Sequence, residues 1–316
     1  MFTSAPYTSA LLVLLCLLDH SSSYLPPSSS QCNRNLYPQP WNLRFDQISI
    51  LMSGFAEKRL PLVRQIARSY SVSPIVNAIY ILWGNMSTPW QLLNQTDSLS
   101  LGAPIYIVRQ DSTSLNDRFL PRAFIQTRAV LICDDDITIT LDELKFLFQM
   151  WKENERRIVG FFPRSHEYQI HQKSWIYTIH PDRYSIMLTK VMIIATDYLY
   201  QYTCKMPKGV KAYIDSQMNC EDIAMNFVVA NATDQGPLLV SGNPRDWGDT
   251  RNSDSDFSVS GLSAKKEHRK KRGDCITVFH QLWEGMPLRY SYGKVVNNVE
   301  EQVLCQKNDT LVRCNS

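Results

Sequence analysis

The sequence predicts an α/β fold: a mainly parallel central sheet with helices on both faces. Three observations carry this. Short apolar runs rich in β-branched residues recur along residues 41–250. Segments with helical apolar spacing separate them, and strands joined by helices pair in parallel. Composition is ordinary for a globular chain, with 44% hydrophobic and 20% charged residues over 316 positions.

The elements follow in order. Ile48 to Met52 is a short apolar strand. Arg59 to Tyr70 places Leu62, Ile66 and Tyr70 on one helix face. Ile75 to Trp83 reads as a buried strand, as do Ile105 to Val108 and Ala129 to Cys133. The last runs straight into Asp134-Asp135-Asp136. Thr140 and Glu143 then form a capping-box pattern that opens a helix over Leu141 to Trp151. Residues 249–274 are polar, end in a basic block, and read as a mobile loop. The stretch Leu288 to Val296 has strand and turn character. Residues 1–40 divide off as leader and Pro/Ser-rich linker, and 41–316 as the main domain.

The leader bears on compartment. Ala10 to Leu18 is apolar but too short for a bilayer, which needs about 20 residues. It has the length of a signal-peptide core, without a basic segment before it. A cleaved signal, a short signal-anchor and a buried helix fragment compete. The Pro/Ser-rich stretch after it, Tyr24 to Ser30, disfavours the last. Eight cysteines without a CxxC pattern, and sequons at Asn85, Asn94, Asn231 and Asn308, favour the secretory pathway. Cys305 and Cys314 are close enough in sequence to close a small loop.

Charge is unevenly placed. The net charge is +3, but Lys265 to Arg272 alone carries +5, so the rest sums to −2. That argues against a general nucleic-acid binder. The block also fits a heparin patch or a dibasic processing site. No P-loop, GxSxG, HExxH or GxGxxG pattern occurs, and the six histidines are scattered.

The acidic triplet is the strongest chemical signal. Ligands of such sheets bind beyond the carboxyl ends of the strands, where the strand before Asp134 delivers it. A solvated acidic turn favoured by the following helix dipole is one reading. The other is a site for Mg²⁺ or Mn²⁺, held by one or two carboxylates and completed by substrate phosphates. That points to a nucleotide diphosphate.

A family resemblance joins these features. Ala129 to Asp136, Asn219 to Phe227, Arg272-Gly273-Asp274-Cys275 and Met286 to Ser291 resemble, in order, the exostosin-like glycosyltransferases of family 64. The likeness covers roughly residues 44–296. Ser114 to Arg122, Trp175 to Asp182 and Arg245 to Asp249 are more similar to its plant branch of glycosylinositol phosphorylceramide mannosyltransferases. The resemblance implies a GT-A fold, a Golgi-lumen location with membrane association, a retaining mechanism and Mn²⁺ (or Mg²⁺) dependence. It also implies a nucleotide-sugar donor, GDP-mannose on the plant-branch reading, and a glycosyl inositol phosphorylceramide acceptor at a membrane surface.

Residue roles come with the resemblance. Asp136 is the implied metal ligand, with Asp134 and Asp135 nearer the ribose or sugar. Arg59, Asn85, Asn116 and Arg118 fall in donor-contacting segments. Asn219 and Glu221 are implied substrate-binding residues; Glu221 stands where the family usually has aspartate, so its role does not carry over directly. Asp222 matches the essential carboxylate and Arg272 the arginine near the leaving diphosphate. Cys220 and Cys275 match the family's disulfide. A glycan at Asn85 would obstruct the donor, so that sequon is expected to stay unmodified. Two alternatives remain: a UDP-N-acetylhexosaminyltransferase of the same fold, and a non-catalytic relative binding anionic glycans or lipids through the basic block.

Overall fold

The computed structural model describes residues 31–94, 100–248, 267–297 and 304–313. The leader, the linker to residue 30, Cys16, Cys314 and residues 249–266 lie outside them. Among the described residues no helix is long and apolar enough to cross a membrane.

The architecture is mixed α/β around an eight-stranded sheet. In chain order its first elements are β1 (Arg44–Gly54), α1 (Leu60–Ser71), β2 (Val76–Trp83), the one-turn α2 (Trp90–Leu93), β3 (Ile105–Arg109), β4 (Thr127–Asp134), β5 (Ile137–Thr138) and α3 (Leu141–Glu153). Next come β6 (Val159–Gly160), β7 (Pro163–Gln169), β8 (Ser174–Thr178), β9 (Ile186–Met187), β10 (Val191–Ala195), α4 (Asp197–Lys205), α5 (Val210–Gln217) and α6 (Glu221–Thr233). The last are β11 (Leu238–Val240), β12 (Arg245–Asp246), α7 (His268–Leu282), β13 (Lys294–Val295), β14 (Leu304–Lys307) and β15 (Thr310–Arg313).

The main sheet runs β13-β11-β6-β10-β4-β1-β2-β3. Strands β4, β1, β2 and β3 are parallel, and only β10 runs against its neighbours β4 and β6. The expected mainly parallel sheet is therefore present. The apolar runs are buried on both faces, as parallel strands require. Ile48, Ile50 and Met52 face a cluster with α1 and α3, through Val63, Ile66, Leu144 and Leu147. Leu51, Val130 and Ile132 face the other cluster, through Tyr202, Ile223, Phe227 and Phe279 of α4, α6 and α7. Thr140 accepts from the Glu143 N–H while the Glu143 carboxylate accepts from the Thr140 N–H, so the capping box forms.

Two features depart from the sequence reading. The stretch 249–274 was expected to be one mobile loop. Its described end, from His268, is instead the first two turns of α7. Four cations there are tolerated because Arg269 and Lys270 face solvent, whereas Arg272 and Gly273 turn inward. Gly273 has to be small: a Cβ there would lie 3.0 Å from the Trp175 carbonyl oxygen on β8. Second, the N-terminal stretch is fastened by a disulfide from Cys32 to Cys204 on α4, a pairing the sequence reading did not name. Cys305 is also disulfide-bonded.

The other disulfide, Cys220–Cys275, joins the start of α6 to α7. Cys220 has φ 80°, a left-handed turn that ends the approach to α6 and aims Glu221 and Asp222 at the sheet edge. Closing a 55-residue separation removes conformations from the unfolded chain. We predict that Cys275→Ser lowers stability by about 2–5 kcal/mol in urea unfolding. An unchanged midpoint would show that α7 holds its place without the bond.

Candidate active site

The site lies at the carboxyl ends of β1 and β4, the place a parallel sheet offers a ligand. Strand register sets it: Ser53 of β1 is paired with Asp134 of β4. Beyond Asp134 the chain turns sharply, which leaves three carboxylates in succession at the edge of a buried strand. Their repulsion is met by two arginines from different elements.

Arg59 closes a 3-10 turn (Glu57–Arg59) before α1, whose second residue is Pro61. Its Nη1 donates to Asp135 Oδ1 at 2.8 Å and lies 2.9 Å from Asp136 Oδ2. Arg118 projects from a second 3-10 turn (Leu115–Phe119) capped by Ser114. Its Nε donates to Ser53 Oγ, Nη2 to Asp134 Oδ1 at 2.7 Å, and Nη1 to Thr189 Oγ1 and Glu221 Oε1. One guanidinium thus ties β1, β4 and the start of α6.

The second half of the site is the α6–α7 junction. Arg272 donates from Nη2 to Asp222 Oδ2 at 2.6 Å and from Nη1 to Asn219 Oδ1 at 3.1 Å. Its guanidinium lies over the Tyr177 ring at 4.4 Å. Arg272 and Asp222 are each 4% exposed. Among the described residues, the buried Arg272 Nε meets no hydrogen-bond partner. Asp222 Oδ1 accepts from the Ile223 N–H, and Asn226, one turn along, bonds the Met187 backbone and pins α6 to β9.

A third segment covers the triplet. Strand β12 pairs with β5, and the Trp247 N–H donates to the Asp136 carbonyl. Asp246 pairs with Lys190, and Arg245 stacks on the Trp247 ring. Gly248 is pressed on the Asp136 carboxylate so closely that a Cβ would collide with Oδ2.

The electrostatics follow from burial. Desolvation, reinforced by Asp134 and Asp135, pushes the Asp136 carboxyl up to about 7. Burial and the neighbouring Asp222 push Glu221 up to about 7 as well. Burial would depress Arg59, but Asp135 and Asp136 outweigh it and its pKa is raised. Among the described residues, Asp134, Asp135, Asp136, Glu221, Asp222 and Asp246 are ion-paired with Arg59, Arg118, Arg272 and Lys190.

The sequence-named residues divide accordingly. Arg59, Arg118, Asp134, Asp135, Asp136, Glu221, Asp222, Asn219 and Arg272 are brought into two linked groups. Asn85 stands just past the end of β2, half-exposed, its Oδ1 accepting from Ser87. Asn116 is turned into the fold. It is 4% exposed, donates to Lys211 O and Asp215 Oδ1, and accepts from the Tyr202 hydroxyl. Its amide is used up in anchoring α5 and α4 rather than presented to a donor. Sequence reasoning missed Lys190, Thr189, Ser53 and Tyr177. Only Tyr177 lay in a segment already singled out; the others carry no local pattern.

The donor set is hard carboxylate oxygen, which suits Mg²⁺ or Mn²⁺. Among the described residues no group of three or more His, Cys, Asp or Glu side chains is arranged to hold a metal alone. A metal at Asp136 would therefore draw ligands from a bound diphosphate.

The raised Asp136 pKa gives a signed prediction. A carboxyl raised in the folded state stabilises the fold below its unfolded pKa, and that contribution is lost as pH rises through about 7. In metal-free buffer at pH 8, Asp136→Asn should melt higher than the parent protein, with the gap closing towards pH 4. A variant melting lower at pH 8 would mean that the Arg59 pair outweighs burial.

The Glycosyl transferase family 64 domain matches residues 48–300. The chain is 50% identical over 284 residues to Arabidopsis thaliana "Glycosyltransferase family protein 64 C3", covering 86% of each. It is 33% identical over 250 residues to human "Exostosin-2", covering 78% of this chain but only 33% of that one. This chain therefore spans a third of exostosin-2's length. Among solved structures, one titled "Crystal structure of GalNAc-T7 with UDP, GalNAc and Mn2+" superposes with a TM-score of 0.43 at 7% identity, covering 59% of this chain and 41% of that one. With the family domain extending across both halves of the site, from β1 past Arg272, the chain belongs to glycosyltransferase family 64, the exostosin-like family.

Proposed function

We propose that this glycosyltransferase is a retaining, divalent-cation-dependent enzyme of the GT-A fold that works in the Golgi lumen. Its donor is GDP-mannose and its acceptor a glycosyl inositol phosphorylceramide at a membrane surface. The observation that carries the chemistry is the linkage of two charged groups through Arg118: the carboxylate triplet on one side, and Asp222 with Arg272 on the other. The choice of mannose and of a sphingolipid rests on the plant-branch likeness of Ser114 to Arg122, Trp175 to Asp182 and Arg245 to Asp249.

Breaking a sugar–phosphate bond leaves growing negative charge on the departing diphosphate. Arg272 is prepared for that charge: Asp222, Asn219 and Tyr177 fix its plane, and among the described residues nothing takes the hydrogen of its buried Nε. A pre-oriented buried donor stabilises the transition state without reorganising at the moment of reaction. Asp222 has one oxygen on Arg272 and the other on the Ile223 N–H. Its remaining lone pairs can accept from a sugar hydroxyl, which makes it an orienting carboxylate between donor and acceptor. A cation bound at Asp136 supplies further neutralisation of the phosphates. Asn85, past the end of β2, is assigned to the donor by the family likeness.

A donor screen tests the assignment. With Mn²⁺ present, turnover should appear with GDP-mannose and not with UDP-N-acetylglucosamine or UDP-N-acetylgalactosamine; the reverse would select the hexosaminyl reading. Arg272→Ala should lower kcat about 10²–10³-fold with little change in donor Kd. Unchanged kcat would remove Arg272 from the site. Asp136→Asn should abolish the Mn²⁺-dependent part of donor binding, measured by calorimetry.

A further inference from the structure

The Arg59 guanidinium lies on the Asp136 carboxylate that would hold a divalent cation. One nitrogen, Nη1, lies 2.8 Å from Asp135 Oδ1 and 2.9 Å from Asp136 Oδ2, and all three side chains are at least 85% buried. Gly248 closes the other side, with its Cβ position 3.3 Å from Arg59 Nη2 and against Asp136 Oδ2. The oxygens nearest any metal are thus bonded to a resident monocation. A second cation arriving alone must displace that guanidinium or share its oxygens, and like charges at such range repel strongly.

We propose that Arg59 is an exchangeable counter-cation: it holds the Asp135–Asp136 pair in the free protein and gives way when a nucleoside diphosphate arrives. The inference rests on the metal-dependent reading of the site. A diphosphate suits a guanidinium fork better than one nitrogen shared between two carboxylates. Arg59 turning to the phosphates uncovers Asp136 Oδ2 at the moment when phosphate oxygens become available as further ligands. Those ligands are needed, because no protein cage is present among the described residues. Metal and donor binding are then coupled, each strengthening the other. Arg118 is held at once by Ser53, Thr189, Glu221 and Asp134 and ties the triplet to α6.

The test is titration of Mn²⁺ into the whole protein, without nucleotide and with saturating GDP or UDP, for the parent and for Arg59→Gln. Without nucleotide, Arg59→Gln should bind Mn²⁺ at least about tenfold more tightly than the parent. Mn²⁺ should also raise its melting temperature while leaving the parent's unchanged. With nucleotide the order should reverse, because Arg59→Gln lacks the phosphate contact. If Arg59→Gln does not fold, Arg59→Lys replaces it; a single ammonium cannot span both carboxylates as well, so a smaller gain of the same sign is expected. Equal nucleotide-free affinities in parent and variant would overturn the exchange while nucleotide-supported binding left the metal reading standing. Absence of Mn²⁺ binding in every arm would overturn both.

Discussion

Arg118 is the interaction on which the rest of the site depends. A parallel sheet delivers a buried strand to its ligand edge, and here the delivered residues are three carboxylates in a row. Left alone they would repel and resist ionisation. Arg118 is nearly enclosed, and its three nitrogens bond Ser53, Asp134, Thr189 and Glu221. It neutralises one end of the triplet and ties it to the start of α6. There Asp222 holds Arg272, so the positions of two halves that come from opposite ends of the sequence depend on one side chain. A buried charge network of this kind adds little net stability, but it fixes geometry.

The arrangement separates three electrostatic tasks. Arg59 covers Asp135 and Asp136, Arg118 covers Asp134 and Glu221, and Arg272 is paired with Asp222. The packing that makes this possible is backbone-level. Gly273 lets α7 lie on β8, Gly248 lets the β12 segment lie on Asp136, and the left-handed Cys220 turns α6 inward. The Cys220–Cys275 bond then holds the α6 and α7 ends together at the point where Asp222 meets Arg272.

Much of this was legible in the sequence, for physical reasons. The strands that line the site are continuous apolar runs because both faces are buried, and their ends are marked by abrupt polar residues. The capping box gave the start of α3 to within a residue. The conformation of the basic block's described end was not legible: cations and polar neighbours read as loop, whereas from His268 the chain is helix with Arg272 and Gly273 turned inward. The contacts of Asn116 with Asp215, Lys211 and Tyr202 were not legible either, because those partners come from distant helices. Lys190 and Thr189 escaped notice because they sit in an ordinary turn. Their significance arises only when β10 is laid beside β4, which no local pattern records.

The central claim is that the two charged groups form one site around a nucleoside diphosphate. Anomalous diffraction from crystals grown with Mn²⁺ and GDP tests it most directly. The account predicts one manganese peak about 2.0–2.2 Å from an Asp136 oxygen, as small hard cations require, with the diphosphate between it and Arg272 and with Arg59 on a phosphate oxygen. A nucleotide bound away from the triplet, or a diphosphate that leaves Arg272 untouched, would contradict it.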